Sequence, residues 1–148
     1  MRVAIITGAS SGLGREYARL ADARGGYDQI WAIARRVGRL KALARELRTP
    51  VRQVALDLLD PSAMNELEDM LADAAAQAKS AGDALEVALL VNAAGLGKLG
   101  TYADVTRREV DAMVGLNCRA LVDVTQLALP YMRRGARLMQ IASSASFQ

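Results

Sequence analysis

The order of the sequence predicts a doubly wound α/β domain, an open parallel sheet of about five strands with helices on both faces. Short apolar runs alternate with helical patterns along all 148 residues. The runs lack polar alternation, as strands buried on both faces do. Polar and glycine-rich punctuation recurs where each run ends, which fits βαβ units joined by right-handed crossovers.

Val3-Ala4-Ile5-Ile6 is the first run, and a strand is expected over 3–6. A helix over 12–24 follows, with Leu13, Tyr17, Leu20 and Ala21 at helical spacing and Gly25-Gly26 as its stop. Residues 29–34 form a second strand closed by Arg35-Arg36. Leu40, Leu43 and Leu47 then mark one face of a helix over 37–48, which Thr49-Pro50 ends. A third strand over 51–56 places Asp57 at its end. Asp60-Pro61-Ser62 starts a long helix to about residue 78, with proline in a permitted first-turn position.

Gly82-Asp83 breaks that helix, and a fourth strand over 87–91 leads into Asn92-Ala93-Ala94-Gly95. The glycine-containing segment 96–102 reads as a mobile loop. From about residue 104 a helical pattern runs through Thr106, Val110, Met113, Leu116, Leu121, Val124, Leu127 and Leu129 to Pro130 and Arg133-Arg134-Gly135. A fifth strand over 136–142 ends in Ser143-Ser144-Ala145-Ser146. No linker, repeat or low-complexity segment interrupts the pattern, so residues 1–148 read as a single domain.

Composition removes several functions. With 52% apolar and 24% charged residues the chain is globular, and no apolar run reaches the roughly 20 residues of a membrane span. The first residues lack the pattern of a secretory signal, so a cytoplasmic location is expected. Net charge is only +3 and basic residues are interspersed with acidic ones, which argues against nucleic acid as a partner. One cysteine, Cys118, and no histidine leave neither a zinc ligand set nor a histidine-based triad, and no metal is expected.

The chemistry concentrates in Thr7-Gly8-Ala9-Ser10-Ser11-Gly12-Leu13-Gly14, between the first strand and the first helix. Residues without a Cβ take positive φ and let a phosphate approach bare backbone, while the N–H groups at the helix start attract its charge. An ordinary strand-to-helix turn also uses glycine and serine. In a sheet of this kind ligands bind beyond the carboxyl ends of the strands. Arg35-Arg36, Asp57, Asn92 to Gly95 and Ser143-Ser144 all fall at such ends.

These pieces, in this order, resemble the classical short-chain dehydrogenase/reductase family: the glycine motif 7–14, Asp57-Leu58, Asn92-Ala93-Ala94-Gly95, Asn117 within Gly115-Leu116-Asn117, and Ile141-Ala142-Ser143-Ser144-Ala145-Ser146. The resemblance spans the whole chain. It implies a Rossmann-like domain that binds a nicotinamide cofactor and exchanges hydride with a small carbonyl or alcohol substrate. In that reading Gly8, Ser10, Ser11, Gly12, Leu13 and Gly14 line the pyrophosphate and adenosine. Asp57 and Leu58 face the adenine, and Asn92, Ala93, Ala94 and Gly95 carry the central portion of the cofactor. Ser144 polarises the substrate oxygen, and Asn117 holds a water in the proton relay. The complete protein is expected to associate with copies of itself.

Ala34 occupies the place where a carboxylate would bind a ribose 2′-hydroxyl, and Arg35 and Arg36 follow it. Guanidinium groups suit phosphate oxygens, so NADP is expected over NAD. A solvated arginine pair at a helix entrance is the alternative.

The family's Tyr-x-x-x-Lys motif is expected about a dozen residues after the serine, beyond Gln148. Tyr17, Tyr27, Tyr102 and Tyr131 have no lysine four residues on. A phenol of ordinary pKa near 10 needs such a cation to work near neutral pH. The expectation is therefore an N-terminal, truncated portion of the family fold, incomplete at its C-terminal end and without turnover alone. The alternative is a catalytically silent nucleotide-binding or interaction module.

Overall fold

Alternate residues of each central strand pack into opposite layers, which is why the runs carry no polar alternation. The computed structural model describes residues 1–98, 100–101 and 103–142. Strands β1 (Arg2–Thr7), β2 (Gln29–Ile33), β3 (Val51–Val54), β4 (Glu86–Asn92) and β5 (Arg137–Gln140) form one parallel sheet in the order β3-β2-β1-β4-β5. Helices α1 (Gly12–Arg24), α2 (Val37–Glu46), α3 (Ala63–Ser80), α4 (Arg107–Val114) and α5 (Ala120–Ala128) connect them.

Val3, Ile5, Trp31, Ile33 and Leu90 join Leu67 and Leu71 of α3 and Val124 of α5 in one core. Ala4, Ile6, Ile30, Ala32 and Val91 join Ala18 and Ala21 of α1 and Leu40 and Leu43 of α2 in the other. Pairing with β1 shifts from Val3↔Val87 to Ala4↔Leu89, so Ala88 is an extra residue. That bulge lets Val87 and Leu90 face the first core and Leu89 and Val91 the second. Among the described residues no helix is long and apolar enough to cross a membrane.

The element boundaries differ from the sequence expectation where side chains intervene. Helix α2 stops at Glu46 because Asp22 Oδ1 accepts the N–H groups of Arg48 at 3.1 Å and Thr49 at 2.7 Å, drawing the chain off the helix. Strand β3 ends at Val54, where the Leu56 N–H turns back to the Val54 carbonyl at 3.2 Å. The pattern from residue 104 to 129 is divided. Thr106 and Glu109 form a reciprocal capping box that starts α4 at Arg107, a π-helical turn spans Gly115–Arg119, and Leu129–Tyr131 is a 3₁₀ turn.

The expected loop over 96–102 is tethered at its described residues. Leu96 bonds to Asn117, Lys98 pairs with Glu109, and Thr101 bonds to Asp104. Strand β5 is an edge of the sheet among the described residues, with Leu138 exposed.

Candidate functional site

The chain runs from β1 through β2 to β3 on one side of the sheet, and β4 then returns to the other side of β1. The strand order reverses between β1 and β4, which opens a crevice above their carboxyl ends. The glycine turn lies there. Gly8 has φ +68°, and a Cβ on it would meet the Ala93 carbonyl oxygen at 2.6 Å. Gly14 packs as closely, since a Cβ would lie 2.5 Å from the Gly8 oxygen. Gly12, at φ +53°, meets nothing within 4 Å. Gly8 and Gly14 let backbone meet backbone, whereas Gly12 leaves open space at the start of α1.

Thr7 fixes the turn to the opposite loop. Its buried hydroxyl accepts the N–H groups of Ala93 and Ala94, each at 3.0 Å. Ser11 precedes α1 but makes no side-chain cap. Its hydroxyl instead accepts Arg36 Nη2 at 2.6 Å, while Ser10 Oγ accepts Arg36 Nη2 at 2.8 Å and Nε at 3.2 Å. The first N–H groups of α1 are thus left without a side-chain cap, next to an anchored guanidinium. Arg35 Nη1 lies 3.6 Å from Asp57 Oδ2, joining the ends of β2 and β3.

The resulting cleft has a volume of about 290 Å³. Gly8, Ser10, Ser11, Gly12 and Leu13 line it from the turn, Arg35, Arg36, Asp57 and Leu58 from the ends of β2 and β3, and Ala93, Ala94 and Gly95 from the loop after β4. Two residues expected to bind the cofactor, Gly14 and Asn92, adjoin this cleft without lining it. Gly14 serves packing behind the turn. Asn92 is buried, and its Nδ2 donates to Thr125 Oγ1 at 2.9 Å and Gln140 Oε1 at 3.0 Å, tying β4 to α5 and β5.

Asn117 sits in the π-helical turn and holds the backbone of Leu96 by both groups. Its Oδ1 accepts the Leu96 N–H at 2.9 Å and its Nδ2 donates to the Leu96 carbonyl at 2.8 Å. Gly95 lies against it, since a Cβ there would be 3.2 Å from Asn117 Oδ1. Asn117 therefore holds the backbone that follows Gly95, a residue of the cleft wall. Ser144, together with Ser143, lies outside the described residues.

The family model described as short chain dehydrogenase matches residues 2–148. The chain belongs to the short-chain dehydrogenase family. It is 36% identical over 150 residues to sulfoacetaldehyde reductase 2 of Chromohalobacter salexigens, covering 97% of this chain and 55% of that protein. It is 28% identical to an uncharacterized oxidoreductase of Staphylococcus epidermidis, covering 99% of this chain and 60% of that protein. A solved short-chain dehydrogenase from Sphingobium yanoikuyae in complex with NADPH is similar at a TM-score of 0.73 and 28% identity, covering 88% of this chain and 48% of that one. The chain thus spans 60% or less of the length of these relatives.

Short-chain dehydrogenases are oxidoreductases that use nicotinamide cofactors, and the residues present fit such a group. The open space at Gly12 and the uncapped start of α1 suit a pyrophosphate. The guanidinium groups supply positive charge beside it.

Ile33 and Leu56 were not among the expected site residues, and Thr7 and Leu116 stood in the quoted motifs without an assigned role. Ile33, Leu56 and Leu116 supply apolar walls of the cleft. A polar residue following four apolar ones was the available sign for Thr7, since a hydroxyl at the last position of a buried strand needs a partner beyond the ladder.

Proposed function

We propose that these residues form the cofactor-binding part of an NADP(H)-dependent oxidoreductase that acts on a small carbonyl or alcohol compound. The observation that carries this reading is Arg36, anchored by Ser10 and Ser11 beside the glycine turn, with no acidic residue at the end of β2. A carboxylate there would accept a ribose 2′-hydroxyl and repel a 2′-phosphate, whereas a guanidinium attracts the phosphate. When bound, the cofactor supplies the hydride. The chain's own residues hold the pyrophosphate at Gly12 and the start of α1, place the ribose beside Arg36, and position the loop after β4 through Thr7 and Asn117. Ser144 is proposed to polarise the substrate oxygen.

No tyrosine in these 148 residues is followed four positions on by a lysine, the spacing of the family's Tyr-x-x-x-Lys motif. The chain by itself is therefore proposed to bind NADPH without turning it over. A cytoplasmic setting belongs to the same reading. So does self-association of the whole protein, supported by Val110, Val114, Val122 and Leu129, which are exposed on α4, α5 and the turn that follows.

Purified chain is expected to enhance NADPH fluorescence saturably and to leave NADPH unoxidised in the presence of carbonyl compounds. Equal binding of NADH and NADPH contradicts the cofactor assignment. Carbonyl reduction by the chain contradicts the absence of turnover.

A further inference from the structure

The two guanidinium groups of the cleft are held by different chemistry. Arg36 donates to two neutral hydroxyls, Ser10 Oγ and Ser11 Oγ, and has no carboxylate partner among the described residues. Its charge remains uncompensated. Arg35 faces the carboxylate of Asp57 at 3.6 Å. That carboxylate is itself oriented, because Asp57 Oδ1 accepts the N–H of Leu59 at 3.2 Å. Arg35, Arg36 and Asp57 all line the same cleft.

We propose that Asp57 sets how strongly the cleft selects a cofactor bearing a 2′-phosphate, by holding Arg35 in an ion pair and leaving Arg36 as the guanidinium that takes the anion. The proposal rests on the NADP(H) reading above and adds a residue that tunes it. A phosphate beside Arg36 meets one uncompensated positive charge. Arg35 contributes only by leaving Asp57, whose own charge opposes the phosphate. A ribose 2′-hydroxyl carries no charge, so the balance between Asp57 and Arg35 changes its binding less than it changes that of a 2′-phosphate. Ser10 and Ser11 are then positioning residues, which hold Arg36 without neutralising it.

The test compares NADPH and NADH binding, by nicotinamide fluorescence, in the wild-type chain and in Asp57→Asn, Arg35→Ala, Arg36→Ala and Asp57→Asn/Arg35→Ala. Asparagine keeps an oxygen for the Leu59 N–H. Asp57→Asn is expected to raise the NADPH-to-NADH affinity ratio about two- to five-fold, the scale of an exposed ion pair. The gain shrinks as salt screens it. Arg35→Ala is expected to lower the ratio less in the wild-type chain than in the Asp57→Asn background, where Arg35 is released. With Asp57 intact, Arg36→Ala lowers the ratio several-fold more than Arg35→Ala, a comparison that stands even where Asp57→Asn does not fold.

An unchanged ratio in Asp57→Asn overturns the proposal. So does an equal loss on removing either arginine, or an equal cost of Arg35→Ala in both backgrounds. A wild-type ratio near one rejects the NADP(H) reading itself, and is a separate number from the changes on substitution.

Discussion

At the scale of single residues, the glycine turn depends on two different uses of a missing Cβ. Gly8 combines positive φ with backbone 2.6 Å from where its Cβ would lie, while Gly12 combines positive φ with open space. A left-handed non-glycine residue costs about 1–2 kcal/mol, and at Gly8 the displacement of the Ala93 loop adds to it. Gly8→Ala is therefore expected to lower stability well beyond Gly12→Ala in chemical denaturation. Gly12→Ala should still fold, and its loss shows in cofactor affinity. Comparable destabilisation by the two would contradict this division. Thr7→Val leaves the N–H groups of Ala93 and Ala94 without their acceptor. An unpaired buried group costs about 1–3 kcal/mol, so Thr7→Val should destabilise on that scale while Thr7→Ser stays near wild type. The residue types of the cleft were legible in the sequence because phosphate approach demands glycine and a helix start. The partners of Arg36 and Asp57 were not, because those pairs join strand ends far apart in the chain.

Among the elements, the long helical pattern after the loop was legible as helix but not as two helices. Apolar spacing at residues 110, 113, 116, 121 and 124 carries no mark of the π-helical turn, which inserts a residue where Asn117 grips Leu96. Asn117→Ala is expected to speed amide exchange at Leu96, with little change at α3. Unchanged exchange there would show that the grip does not hold the loop. The start of α4 is set by Thr106 and Glu109. Lys98 and the Thr106 N–H hold the Glu109 carboxyl down to about 2, well below its ordinary value of 4.5. A depressed carboxylate contributes stability that is complete above the unfolded value and lost as pH falls through the folded one. Protection of the first turn of α4 should therefore decline between about pH 4.5 and 2, and Glu109→Gln should remove that dependence in amide-exchange measurements. A decline unchanged in Glu109→Gln would assign it to other groups.

Across the whole molecule, the strand order β3-β2-β1-β4-β5 converts separate sequence motifs into one crevice. The alternation of runs and helices made the parallel sheet legible, and the two-faced burial of β1, β2 and β4 is its physical cause. The bulge at Ala88 was hidden, because Val87 to Val91 are apolar on either register. Trp31, the single tryptophan, is fully buried in the core beneath α3. Trp31→Ala should cost about 3–5 kcal/mol in denaturant unfolding, and a smaller loss would mean that the core collapses around the gap. The central claim, that the cleft selects NADP(H) through a guanidinium anchored on the glycine turn, is tested most directly by calorimetric titration of the chain and its Arg36→Ala variant with NADPH and NADH. A charge-assisted contact of about 1.5–3 kcal/mol predicts a wild-type preference for NADPH of roughly tenfold or more. Arg36→Ala should largely remove that preference, lowering NADPH affinity far more than NADH affinity. Equal affinities in the wild-type chain, or a preference that survives Arg36→Ala, would contradict it.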